Sequence, residues 1–195
     1  MKFSYDCIND RTSIKLEVPK HVYYPDEDSL LMADTLQQLF IKHAKVLEVG
    51  CGSGLASILL AKNNEVVSVD ISKEAVEAAA QNAKNNNVQI SAFCSDIFSA
   101  VEGKFDVIIF NPPYLPSSEY DRYLGRAESQ LVDKNNVIDK FLEQLPDRLL
   151  PGGKAYVVIS SVTKFNMPDK SLKFIIIAGK KLFWEELYIY EITTK

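Results

Sequence analysis

The sequence predicts an α/β protein built on one mostly parallel sheet of seven strands, with helices on both faces and a reversed last strand. Three observations carry this. Short apolar runs such as Val46-Leu47-Glu48-Val49 and Val107-Ile108-Ile109-Phe110 alternate with amphipathic stretches, the pattern of parallel strands covered on both faces. A glycine-rich loop follows the first of these strands and opens a helix. The chain closes on two further apolar strands, Phe174 to Ala178 and Leu187 to Ile192, with only a short stretch between them. That spacing suits an antiparallel hairpin.

Residues 2–18 read as an N-terminal hairpin extension. Phe3 to Ile8 leads into the turn formers Asn9-Asp10-Arg11-Thr12, and Ile14 to Val18 alternates apolar and polar positions before Pro19. Asp26 to Ile41 is a helix, with Leu30, Leu31, Leu36, Leu39 and Phe40 near one face. The strand Val46 to Val49 precedes a helix from Leu55 to Lys62, and the next strand is Glu65 to Asp70. Ser72 caps a helix with Glu74 in its first turn and Ala75, Val76, Ala79 and Ala80 turned inward. Val88 to Cys94 and Phe105 to Phe110 are the third and fourth strands. A helix from Asn135 to Leu149 stops at Pro151-Gly152-Gly153, and Ala155 to Ser160 is the fifth strand.

The 195 residues, 47% hydrophobic and 25% charged, make one domain with enough chain to bury a core unaided. Cys7, Cys51 and Cys94 are far apart, which argues against a disulfide framework or a cysteine zinc site. His21 and His43 are the only histidines, so no metal is expected. The net charge of −4 counts against a duplex nucleic-acid partner. No 18-residue apolar run exists and the N-terminus has no apolar signal core. The expectation is a reduced, soluble, cytoplasmic protein with no membrane contact.

The strongest chemical signal is Glu48-Val49-Gly50-Cys51-Gly52-Ser53-Gly54, between a strand and a helix. Gly50, Gly52 and Gly54 let a ligand approach the main chain, and the helix adds free N–H groups. The spacing differs from the G-x-G-x-x-G of dinucleotide sites. Asp70 ends the next strand, about twenty residues on, where an acid can accept from ribose hydroxyls; Ile71 follows it. Asp96 can accept from an adenine amine while Ile97 covers the ring. Asn111-Pro112-Pro113-Tyr114 leaves the fourth strand at the ligand-binding edge. The Asn111 side-chain oxygen and the Pro112 carbonyl can accept both hydrogens of one NH₂ group, and Tyr114 can stack on a planar amide or base. Cys51 reads as a small filler, because no base accompanies it. Phe183 and Trp184 read as core or interface groups. Lys170, Lys173, Lys180 and Lys181 form a basic bias that is either a solvated face or a dock for an acidic or RNA-bound partner.

These motifs resemble the class I S-adenosylmethionine-dependent methyltransferases, with their Rossmann-like fold, and more narrowly the HemK-like glutamine-amide and amino methyltransferases. N-P-P-Y resembles that family's target-NH₂ motif and E-V-G-C-G-S-G its methionine-binding loop. Val22-Tyr23-Tyr24-Pro25-Asp26-Glu27-Asp28-Ser29 is similar to the V-Y-x-P-x-E-D-[ST] motif of the short archaeal and eukaryotic branch. The resemblance runs from about residue 20 to residue 192. It implies S-adenosylmethionine as cofactor, held by Tyr23, Pro25, Glu27, Ser29, Glu48, Gly50, Gly52, Gly54, Asp70, Ile71, Asp96, Ile97 and Asn111. It implies Asn111, Pro112 and Tyr114 as catalytic residues, with Pro113 joining them against the substrate. Residues 1–42 would cap the cofactor site and residues 43–195 form the catalytic core. The implied substrate is the glutamine of the Gly-Gly-Gln loop of a class 1 release factor, with a small zinc-binding activator subunit in some members. Relatives carry Gly-Gly-x-x-Gly before the helix near Asn135, where this chain has Gln130-Leu131-Val132-Asp133-Lys134.

An amide nitrogen is a poor nucleophile, so such a site works by positioning and needs no strong base. Two alternatives remain at this stage. One is an amino-methyltransferase acting on adenine or guanine of RNA or DNA. The other, from a different class, is a nucleotide-binding oxidoreductase or a binding module without catalysis; the glycine spacing disfavours the first and N-P-P-Y the second.

Overall fold

The computed structural model describes residues 1–8, 12–116, 132–133, 136–166 and 171–195. The expected turn at residues 9–11, most of the segment 130–134 and Lys170 lie outside the described residues. A hairpin of β1 (Lys2–Asp6) and β2 (Ser13–Glu17) is followed by α1 (Glu27–Gln38), β3 (Lys45–Val49), α2 (Leu55–Ala61), β4 (Glu65–Asp70), α3 (Lys73–Asn85) and β5 (Ser91–Cys94). Then come β6 (Phe105–Phe110), the short β7 (Leu115–Pro116) and β8 (Val132–Asp133), α4 (Val137–Arg148), β9 (Leu149–Ser160), β10 (Leu172–Lys181) and β11 (Glu186–Thr194).

Seven strands form one sheet in the order β10-β11-β9-β6-β3-β4-β5. The pairs β3–β4, β3–β6, β4–β5 and β6–β9 are parallel. The last strand, β11, runs antiparallel to both β9 and β10. The reversed last strand and the closing hairpin expected from the sequence are present. Parallel neighbours on both sides bury β6 almost completely: Ile108, Ile109 and Phe110 are all inside. On one face of the sheet Phe141 of α4 packs between Phe98 and Phe110, with ring centroids 5.3 and 4.7 Å away. Among the described residues no helix is long and apolar enough to cross a membrane.

The hairpin has its own apolar cluster, in which Tyr5, Ile14 and Leu16 meet Leu55 and Ile58 of α2 and Ala75 and Ala78 of α3. Two asparagines one turn apart on α3 pair with the free edge of β2. Asn82 accepts from the Glu17 N–H at 2.8 Å and donates to its carbonyl at 3.0 Å. Asn86 does the same with Lys15 at 3.0 and 2.8 Å. Asn82 also donates to the Ser53 carbonyl of the glycine loop at 3.0 Å.

Several local expectations are corrected. The inward face of α1 carries Met32, Ala33, Thr35, Leu36 and Gln37, whereas Leu30, Leu31 and Leu39 are only half-buried. The helix lies between the hairpin and the sheet, so polar groups are also enclosed: Thr35 donates back to Leu31 O, and Gln37 donates to the Tyr5 hydroxyl. The helix stops at Gln38, and Phe40, at φ 49, turns out to solvent. On α3, Ala78 is inside and Ala80 only half-buried. The third strand is shorter than expected, because the chain up to Ile90 is still the connection from α3. Pro151-Gly152-Gly153 lies inside β9 instead of ending the preceding helix. The register against β6 shifts there, and a Cβ on Gly153 would sit 2.9 Å from the Leu150 and Phe105 carbonyl oxygens. These glycines permit a bulge in close contact with β6.

Gly54 was expected to admit a ligand, but its surroundings show a packing role. It caps α2 at φ +88, and a Cβ there would lie 3.0 Å from the Ala79 Cβ and 3.1 Å from its Cα. A Cβ on Gly52, at φ +51, would meet nothing within 4 Å. Gly52→Ala should therefore cost only its left-handed backbone, about 1–2 kcal/mol. Gly54→Ala adds an overlap between α2 and α3 and should cost about 2–4 kcal/mol in urea unfolding. Equal losses at the two positions would contradict the close helix contact.

Candidate active site

Parallel strands end together at the carboxyl edge of the sheet, and the loops leaving β3, β4 and β6 must diverge there. Between them lies a cavity of about 470 Å³. It is lined by Tyr23, Pro25, Ser29, Glu48, Gly50, Gly52, Asp70, Ile71, Asp96, Ile97, Asn111, Pro112 and Pro113. The structure thus brings most of the expected site residues around one space. Glu27, Gly54 and Tyr114 do not line it. Glu27 faces outward and pairs with Lys180 of β10, so at least one of the expected basic residues is not a free cation. Tyr114 is only 4% exposed, with no face open for stacking.

The glycine loop is anchored by two carboxylates. Asp70 accepts from the Gly52 N–H at 3.0 Å with one oxygen and from the Ser72 N–H at 2.8 Å with the other. The Ile71 N–H also bonds this carboxylate, and Asp70 lines the cavity. Burial raises the Asp70 pKa above the usual carboxylate value, while these N–H groups oppose the rise. Glu48, on β3 beneath the loop, accepts from the Ser57 N–H at 2.9 Å and from the Ser57 hydroxyl. The Ser57 hydroxyl in turn meets that of Ser68 on β4 at 2.5 Å. Burial pushes the Glu48 carboxyl up to about 7, against the Ser57 hydrogen bonds and with help from Asp70. Burial also raises the Cys51 thiol well above its ordinary value, which suits a filler and not a nucleophile.

The opposite wall is organised by a residue the sequence reading did not assign to the site. Asp28, in the first turn of α1, is 1% exposed. It accepts from the Tyr23 hydroxyl at 3.0 and 3.1 Å, from the Tyr114 hydroxyl at 3.3 Å and from the Ser29 hydroxyl at 3.1 Å. Burial first, then the Asp28 charge, raises both phenols far above their ordinary values, so they remain donors. Asp28 was visible only as one letter of the leading motif, where a first-turn acid ordinarily serves the helix end. Met32, one turn further along α1, and Lys140 of α4 also reach the cavity. No spacing marked them in advance.

Asn111 ends this chain of contacts. Its side-chain nitrogen approaches the Ser29 hydroxyl at 3.5 Å. Its Oδ1 is buried and has no hydrogen-bond partner, the one such side-chain atom among the described residues. A buried acceptor left unmatched costs about 1–3 kcal/mol. Asn111 lines the cavity, but Oδ1 itself is closed to water, so a donor entering there would meet it after a small turn of the side chain.

The sheet order, the reversed β11 and a cavity at the carboxyl edge flanked by N-P-P-Y define a class I methyltransferase fold. The family model for the methyltransferase small domain matches residues 23–174, and the chain belongs to that family. A Methanocaldococcus jannaschii protein with the provisional name protein N5-glutamine methyltransferase is 44% identical over 186 residues, 90% of this chain and 93% of that one. The release factor glutamine methyltransferase of Streptococcus pneumoniae is 33% identical over 162 residues, 77% of this chain but 58% of its own. Among solved structures, the E. cuniculi Mtq2–Trm112 complex responsible for methylation of the termination factor eRF1 superposes with a TM-score of 0.66 at 22% identity, covering 90% of this chain and 99% of that one. The T. thermophilus 16S rRNA N2 G1207 methyltransferase, in complex with AdoMet and guanosine, gives a TM-score of 0.75 at 21% identity over 100% of this chain and 50% of that one. These two likenesses show the fold.

Glu48 yields a pH prediction. Its folded pKa, about 7, lies above the ordinary value of 4.5. Its stabilising contribution is therefore complete below about pH 4.5 and is lost as pH rises through about 7. Between pH 5 and pH 8 the ligand-free protein should lose up to about 3 kcal/mol from this group. Glu48→Gln should flatten most of that slope in thermal unfolding, leaving a smaller slope of the same sign from Asp70. An unchanged slope would remove Glu48 from this role.

Proposed function

We propose that this enzyme transfers a methyl group from S-adenosylmethionine to the side-chain amide nitrogen of a protein glutamine, and that the glutamine belongs to the Gly-Gly-Gln loop of a class 1 release factor. The orphaned Asn111 Oδ1 carries the proposal. It is an acceptor waiting for a donor, and an amide NH₂ offers two. Pro112 lines the same space and brings a carbonyl from a residue with no N–H of its own. The names of the M. jannaschii and S. pneumoniae relatives and the E. cuniculi complex support the same substrate class.

The residues present fit the cofactor. Asp70 lines the cavity with a carboxylate that can still accept from a ribose hydroxyl beside its backbone N–H partners. Asp96 supplies an acceptor for an adenine amine, and Ile71 and Ile97 offer apolar cover on either side. Tyr23, Pro25 and Ser29 close the other end from α1. When bound, the cofactor supplies a methyl group on a positively charged sulfur, a strong electrophile. Asn111 and Pro112 take the two N–H groups of the acceptor and so fix its plane and turn its nitrogen toward that methyl. Their oxygens would also stabilise the positive charge that grows on nitrogen as the N–C bond formed and the methyl–sulfur bond broke, its electron pair staying on the now neutral sulfur. One proton then leaves the nitrogen to water. Tyr114 acts from behind, holding the loop to Asp28. A small zinc-binding activator subunit belongs to this reading, since the E. cuniculi relative is a two-protein complex, as does a cytoplasmic location with the translation machinery.

Incubation with labelled cofactor and a purified release factor should place one methyl on the loop glutamine by mass spectrometry, and a release factor with that glutamine replaced should stay unlabelled. Asn111→Ala should cut turnover about 10²–10³-fold while leaving cofactor affinity nearly unchanged. Asn111→Asp should fall between the two. Asp70→Ala should instead weaken cofactor binding by about 1.5–3 kcal/mol in calorimetry. Full turnover by Asn111→Ala would reduce N-P-P-Y to a strand terminator.

A further inference from the structure

The β10–β11 turn presents two aromatic rings that the fold does not use. Phe183 and Trp184 are each 86% exposed, the most exposed of the large apolar side chains among the described residues. They touch each other edge to face, with centroids 4.6 Å apart. Leu182 N–H donates to the Glu185 carbonyl at 2.8 Å and closes the turn around them. Such corners favour Gly, Asn, Asp and Ser. Two aromatics there gain no packing beyond each other and give the surface an apolar knob, the kind of feature that marks a contact site.

The knob lies at the active-site edge, on a turn closed by hydrogen bonds. β10 runs in the same sense as β6, because two antiparallel steps separate it from β9 and β9 is parallel to β6. Its end therefore falls at the carboxyl edge, where Asn111 leaves β6. Ser160, the last residue of β9, donates to Glu185. Ser161 and Glu186 exchange two further hydrogen bonds, at 2.8 and 3.0 Å. Lys180, just before the turn, is paired with Glu27 at the start of α1. The charge of Glu185 is felt by the Tyr114 phenol. The turn is thus tied to the end of β9 and, through Lys180, to the leading segment.

We infer that the Phe183–Trp184 knob is the docking element for the folded body of the protein acceptor, seating in an apolar groove beside the loop that carries the target amide. A protein fits better than a nucleic acid. Lys180 is already committed to Glu27, and Lys181 on one side of the knob is balanced by Glu185 and Glu186 on the other, so phosphates would meet no net positive surface. Rigid aromatic anchors with a polar surround are the groups that dominate protein interfaces. The inference rests on the proposed protein substrate and adds where that substrate is held.

The test compares two acceptors with the double variant Phe183→Ser/Trp184→Ser and with Trp184→Phe. Both side chains are exposed, so the double variant should unfold at the wild-type temperature. With intact release factor, the double variant should raise KM about tenfold or more at nearly unchanged kcat, and Trp184→Phe should retain most of the affinity. With a short peptide spanning the Gly-Gly-Gln loop, all three proteins should behave alike. Unchanged KM on intact acceptor, or equal losses on peptide and protein, would overturn the inference. If wild type labels a different protein in cell extract, the release-factor assignment fails, and the same KM comparison on that protein decides the docking role. Label that nuclease removes would overturn both.

Discussion

Much of the site hangs on one buried carboxylate. Asp28 is enclosed at 1% exposure with no cation paired to it among the described residues. Its charge is met by dipoles: two phenols, a hydroxyl and the backbone at the start of α1. Such a group is tolerable only while its donors stay in place. The donors come from two parts of the chain that share no strand or helix, the leading segment through Tyr23 and Ser29 and the N-P-P-Y loop through Tyr114. The carboxylate therefore makes the position of one part a condition for the other. Ser29 extends the link to the Asn111 side-chain nitrogen, and Asn111 lines the cavity with its Oδ1 buried and unpaired.

The glycine loop follows a related economy. Glu48 and Asp70 sit on adjacent parallel strands, and the Asp70 charge opposes the ionisation of Glu48. Asp70 spends its hydrogen bonds on the loop and on the start of α3, while Glu48 spends its own on α2. The two helix starts that face the cavity are consequently fixed to the sheet through side chains as well as through packing. A loop built mainly from glycine and small residues would otherwise have little to hold its shape.

What the sequence disclosed follows from how local each signal was. β6 and β4 were readable to the residue, because burial on both faces demands a mostly apolar run, Val66-Val67-Ser68-Val69 and Val107 to Phe110, and a polar residue follows it. Ser72 was readable as a cap because its hydroxyl bonds Ala75 N–H three residues on. The inward face of α1 was misjudged because the helix is enclosed on two sides, so polar Thr35 and Gln37 are buried against partners far along the chain. Pro151-Gly152-Gly153 looked like a helix stop, and only contact with Phe105 of β6 shows that the glycines serve a bulge. Among site residues, those at strand ends were found by motif. Asp28 and Met32 were missed, since their roles depend on which face of α1 meets the cavity. Glu27 was carried into the site by the motif, although its carboxylate turns to Lys180.

The paired asparagines on α3 change how the small N-terminal sheet should be regarded. A two-stranded ribbon is barely stable alone, and its free edge invites pairing with other chains. Here Asn82 and Asn86 complete the ladder of β2 as a third strand would, with an amide group in place of each peptide. The second edge of β2 is thereby covered, and it offers no template for aggregation. Because the same Asn82 amide also holds Ser53 of the glycine loop, the ribbon, α3 and the loop form one cooperative unit. Peeling the ribbon away would release the loop with it, so amide protons of Lys15 and Glu17 should exchange as slowly as those of the sheet core and not at the rate of a frayed terminus.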